Sequence, residues 1–172
     1  MRVVVRLLLS ALMVIAAIVG VGTAHAAEPM SKERAGRYYL AGTCETKRAY
    51  NHFDWHVWLG RKQISRREVA NRLPEIKRLT ARYARAEQRF LNRLKNPPAA
   101  WPSDVRTPVK RMATLQGRYV NALLRASRAA NAGSWGFWIK TAWRAGDYKD
   151  YPEIIRERLE LPPPGKGCGQ LG

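Results

Sequence analysis

The 172-residue sequence predicts an all-α protein, an antiparallel bundle of about four helices followed by a short C-terminal helix and a Pro/Gly tail. Three observations carry the prediction. Apolar residues recur at three- and four-residue steps in several separate stretches, which is the period of an α-helix. Proline, glycine and capping residues fall between those stretches. No stretch alternates with the two-residue rhythm of a half-buried strand. Amphipathic helices joined by short links must bury their stripes on one another, and an antiparallel bundle is the simplest arrangement that does so.

The chain opens with Arg2 and Arg6, continues in an apolar run from Leu7 to Gly22, and reaches the small-x-small sequence Ala24-His25-Ala26. A basic start, an apolar stretch and a small-residue cleavage site are the parts of a secretory signal peptide, so residues 1–26 read as one. An uncleaved membrane anchor is the alternative, but the run is shorter than the roughly 20 residues that cross a bilayer. Leu40-Ala41-Gly42-Thr43-Cys44 looks like a lipobox, yet one extra residue precedes the cysteine and the segment lies well beyond the apolar run. Residues 27–172 remain as a single helical domain, large enough for a core of its own.

The first mature helix runs from Ser31 to about Trp58, with Tyr39, Leu40, Thr43, Cys44, Lys47, Tyr50 and Asp54 at helical intervals. Ser65-Arg66-Arg67-Glu68 is a capping box, in which the serine oxygen and the glutamate each satisfy a free backbone donor. From it Val69, Leu73, Ile76, Thr80, Tyr83, Glu87, Phe90 and Leu94 form one stripe, with Arg78, Arg82, Arg85, Arg89 and Arg93 opposite. Pro74 sits inside this pattern and removes a donor, so a single bent helix is expected. The Asn96–Pro102 segment interrupts, and Ser103 is a ready N-cap for a helix with Val105, Val109, Met112, Leu115, Tyr119, Leu123 and Ala126 on one face. Arg111, Arg118 and Arg125 repeat every seven residues on another face. Asn131-Ala132-Gly133 is a natural stop, and Ser134 caps a region carrying Trp135, Trp138, Ile139, Ala142 and Trp143. A break over residues 146–152 precedes a short helix with Ile155 and Leu159, and Leu161-Pro162-Pro163-Pro164-Gly165 ends regular structure.

Lys and Arg number 31 against 13 Asp and Glu, a formal charge of +18. The leader holds two of the basic residues and none of the acidic ones, leaving 29 against 13, or +16. Such an excess favours anionic partners: an envelope polymer, an anionic lipid surface, an acidic protein or, less favoured, nucleic acid. The bland reading is the codon usage of a GC-rich genome. Two rows of arginine on neighbouring helices could together make a continuous cationic surface. Cys44 and Cys168 are the two cysteines, and an even count in an exported chain points to a disulfide rather than free thiols. It would close a loop of about 125 residues, worth about 4 to 5 kcal/mol in the chain-entropy model.

His52 and His56 are one helical turn apart, the spacing at which two imidazoles meet one metal or haem edge. The pair lacks a third ligand in the sequence, and ordinary surface histidines are the plainer reading. Asp147, Asp150 and Glu153 could hold calcium from a loop, but Asp150 reads more simply as the cap of the final helix. Trp135, Trp138 and Trp143 could stack on a ligand, though their spacing fits a core face. No Gly-rich phosphate loop, nucleophile elbow or Cys/His pair outside the expected disulfide is present, so no catalytic residue and no cofactor is assigned.

Tyr38-Tyr39-Leu40, Trp101-Pro102-Ser103-Asp104-Val105 and Arg158-Leu159-Glu160-Leu161-Pro162-Pro163 occur in that order along the chain. In these motifs the protein resembles small exported helical proteins and lipoproteins of actinobacteria, a group with no established activity. The resemblance implies a helical exported protein; lipid tethering is not expected here without a usable lipobox. The expected function is a secreted or cell-envelope, non-enzymatic binding module with a basic surface. The alternatives are a metal-, haem- or aromatic-ligand-binding protein using His52, His56 and nearby tryptophans, and, third, a cell-wall hydrolase.

Overall fold

The computed structural model describes residues 28–61, 63–148, 150–163 and 166–168. The expected signal peptide and parts of the Pro/Gly tail lie outside them. Six helices and no strand occur among the described residues: α1 (Lys32–Trp58), α2 (Arg66–Asn71), α3 (Leu73–Lys95), α4 (Ser103–Ser127), α5 (Ala132–Ala145) and α6 (Tyr151–Arg158). None is long and apolar enough to cross a membrane.

The helix ends follow local chemistry. Ser31 caps α1 by accepting a bond from the Arg34 N–H, and Leu59 ends it in the left-handed conformation with φ of 54°. The predicted box at Ser65 forms reciprocally with Glu68, and its backbone and side-chain bonds hold the Glu68 carboxyl down to about 2. The single bent helix expected from Ser65 to Leu94 is instead two helices. Pro74 falls in the first turn of α3, where its missing N–H costs nothing, and Arg72 takes up the break. Three caps also differ from expectation. Pro102, not Ser103, precedes α4; Asn131, not Ser134, caps α5, with Ser134 as its reciprocal partner; Asp150 precedes α6 without a side-chain capping bond.

Pro108 lies inside α4 and has no N–H to give the Asp104 carbonyl one turn back. The Arg158 guanidinium donates to that carbonyl instead, tying α6 to the start of α4.

The long helices run antiparallel, as pairs of contacts across them show. Between α1 and α3, Tyr39 meets Phe90 and Phe53 stacks on Tyr83 with ring centroids 5.2 Å apart. Between α3 and α4, Tyr83 meets Tyr119 while Leu94 accepts the Trp101 indole N–H at 3.1 Å. Between α4 and α5, Arg125 covers Trp138 and Tyr119 lies near Trp143. Gly42 lets α1 approach closely, since a Cβ there would fall 2.5 Å from the Phe90 ring. The Cys44–Cys168 disulfide forms, with S–S 2.06 Å and Cα–Cα 5.5 Å, and pins the tail to the middle of α1.

Two apolar clusters fill the bundle. One joins Phe53, Val57, Ile76, Leu123, Trp135 and Ile139 at the end covered by α2 and α5. The other joins Tyr39, Phe90, Leu94, Trp101, Val109 and Ile155 at the end covered by α6. Between them α3 contributes Glu87 and α4 contributes Gln116, both buried, so the bundle has a polar waist.

Candidate functional site

Helical spacing places His52 and His56 side by side on α1, with ring centroids 4.3 Å apart. The antiparallel neighbour α3 brings Arg78, Arg82 and Arg85 opposite them, and these five side chains line a groove of about 540 Å³. Arg82 Nη1 lies 3.4 Å from His52 Nε2. One acid shares the groove, Glu75, and Arg72 occupies its carboxylate with an Nε–Oε2 distance of 3.0 Å. That bond, followed by the charges of Arg72, Arg78 and His56, holds the Glu75 pKa below the usual carboxylate range. Desolvation, then the His56 and Arg82 charges, holds His52 below the usual imidazole range. No carboxylate among the described residues pairs with Arg78, Arg82 or Arg85 within ion-pair distance.

The two arginine rows lie on different helices and have different surroundings. Along α3, Arg89 pairs with Glu45 at 2.5 Å and Arg93 stacks over Tyr38, so the row continues along the α1 side. Arg111, Arg118 and Arg125 are exposed on α4; none of them lines the groove, and Arg125 leans on α5 through the Trp138 ring. The groove therefore takes its arginines from α3 alone.

No group of three or more His, Cys, Asp or Glu that could hold a metal occurs among the described residues. The three guanidinium groups opposite the histidines repel a cation and attract an anion. The nearby tryptophans do not gather on the histidines as a ring-binding wall would require: half-buried Trp58 packs against the core Trp135, and Trp55 is 67% exposed. The three tryptophans of α5 divide by burial. Trp135 is core and donates its indole N–H to Thr80, Trp138 is half-buried, and Trp143 stands partly exposed at the rim of a second site.

That second site is the waist, a cavity of about 370 Å³ bounded by α1, α3, α4, the α5–α6 turn and Cys168 of the tail. Gln116 donates its amide N–H to Glu87 Oε2 at 2.6 Å, and the hydroxyls of Tyr83 and Tyr119 lie 2.6 Å apart. Burial raises the Glu87 pKa, against the opposing bonds from Tyr83 and Gln116. Burial likewise pushes the Tyr83, Tyr119 and Tyr148 hydroxyls far above their usual range, so all three stay protonated. Arg156, buried on α6, donates to the carbonyls of Pro162 and Pro163 and so ties the tail to α6.

The sequence carried one signal for this site: a glutamate inside the apolar stripe of α3. Its partner was hidden by a one-residue error of register on α4, where Gln116 rather than Leu115 occupies the centre of the buried face. Comparisons with family models, curated proteins and solved structures each find no match to this chain.

Proposed function

We propose that this is an exported, non-enzymatic module that binds an anionic polymer along the seam between α1 and α3. The supporting observation is the convergence of His52, His56, Arg78, Arg82 and Arg85 on one groove whose single acid is already engaged by Arg72. A phosphate- or carboxylate-bearing chain fits this reading better than a membrane. Arg78, Arg82 and Arg85 face the His52 and His56 rings across a concavity, and the arginine row from Arg78 to Arg93 extends for about 22 Å, the rise of fifteen helical residues. A lipid surface would need them on a convex or flat face. The disulfide accords with an oxidising compartment outside the cytoplasm.

Calorimetric titration with linear polyphosphate tests the proposal. Arg78→Ala/Arg82→Ala/Arg85→Ala together should weaken binding about 10- to 100-fold, at roughly 0.5 to 1 kcal/mol per lost exposed charge contact. Arg111→Ala/Arg118→Ala/Arg125→Ala removes the same net charge elsewhere and should cost severalfold at most. Equal losses from the two triple variants would replace a site with diffuse charge attraction. Preferential binding to anionic vesicles over the free polymer would favour the membrane instead.

A further inference from the structure

We infer that the waist cavity binds a small neutral ring compound carrying an O–H or N–H donor. Its volume, about 370 Å³, lies within the range of small-molecule sites. Its walls are aromatic: Tyr39, Tyr50, Phe90, Tyr119, Trp143 and Tyr148 present faces and edges on which a flat ring packs. At its floor stands a specific polar demand. Gln116 is 0% exposed, and while its amide nitrogen serves Glu87, its Oε1 has no partner among the described residues. A buried carbonyl oxygen without a donor is costly, so a ligand O–H or N–H placed there recovers a hydrogen bond that the fold leaves unmade.

Charge selects a neutral ligand. Glu87 opposes an anion at the floor, while Arg156 in the wall and Lys47 at the mouth, 5.5 Å from the centre of the Tyr50 ring, oppose a cation. On the α5–α6 turn, Gly146 lines the pocket without a side chain to crowd the Tyr119 ring; a Cβ there would fall 3.1 Å from it. Partly exposed Trp143 also lines the pocket and gives it a fluorescent reporter.

The test uses p-cresol, with toluene as the same ring lacking the donor, and follows the aromatic NMR signals of the intact disulfide-bonded protein. p-Cresol should shift the signals of Tyr39, Tyr119 and Trp143 saturably, and toluene should bind about tenfold more weakly, the worth of one hydrogen bond to a buried acceptor. Gln116→Met keeps the length of the side chain and removes the acceptor, so the preference for p-cresol should vanish. Should that variant not fold, Thr46→Trp at the mouth provides the second arm: it should abolish binding while leaving helicity unchanged. Absence of saturable shifts, equal affinity for the two probes in the native protein, or full binding by Thr46→Trp would each overturn the inference.

Discussion

The groove and the waist are both made by polar side chains that face one another across helices, yet they obey opposite energetics. In the groove the cations are wet. Each exposed arginine contributes within about 1 kcal/mol to stability, and under the proposed function the site gains its energy from an arriving anion. In the waist the polar groups are dry. Glu87, Gln116 and the tyrosine hydroxyls must satisfy one another, and any group left over carries a penalty of about 1 to 3 kcal/mol. The same contrast separates the roles proposed for them: charge density outside for affinity towards a polymer, an unmet hydrogen bond inside for selectivity towards a small molecule.

Four changes sharpen or break this contrast. The largest is loss of the bridge. Cys44→Ser/Cys168→Ser should lower unfolding free energy by up to about 4 to 5 kcal/mol in denaturant titrations. Because Cys168 borders the waist and not the groove, the folded variant should keep its polymer affinity; a parallel loss of that affinity would erase the distinction.

Glu87→Leu comes next, at about 2 to 3 kcal/mol destabilising, because the Gln116 amide loses its carboxylate acceptor and Tyr83 loses a hydrogen-bond partner. A more stable leucine variant would mean that the waist is merely a tolerated defect.

The third change is one of pH. Burial raises the Glu87 pKa in the fold, so its stabilising contribution is complete below the ordinary value of 4.5 and is lost as pH rises through the folded value. Glu87→Gln should flatten that part of the stability profile and gain on the native protein, by about 1 kcal/mol, as pH climbs towards neutrality. Thermal melts from pH 4 to 7 that stay parallel for the two proteins would contradict it. The smallest effect belongs to the groove: Arg85→Ala should change stability by less than about 0.5 kcal/mol, while still weakening polyphosphate binding.

Much of this was legible along the chain. Ser31, the Ser65/Glu68 box and the stripe of α3 announce themselves because capping and periodicity are local, and the disulfide is expected from an even cysteine count read together with the expected export. The all-α bundle is confirmed for the same reason. The break at Arg72 was hard to see because apolar periodicity continues across it; Pro74 serves a helix start as well as a kink. The groove needed a fact no spacing contains, namely that α3 lies antiparallel against α1 and sets Arg82 beside His52. The waist depended on a pairing across 29 residues between Glu87 and Gln116, and a one-residue slip on α4 was enough to conceal it.

Titration of His52 and His56 by NMR, with and without inorganic polyphosphate, tests the proposed groove most directly. His52 starts below the ordinary imidazole value of 6.5, so an anion bound beside it should raise its pKa, and by linkage polymer affinity should increase as pH falls from 7 to 5. If polyphosphate binds while the His52 and His56 titration curves stay superimposable on those of the free protein, the anion is held elsewhere and the α1–α3 groove is not its site.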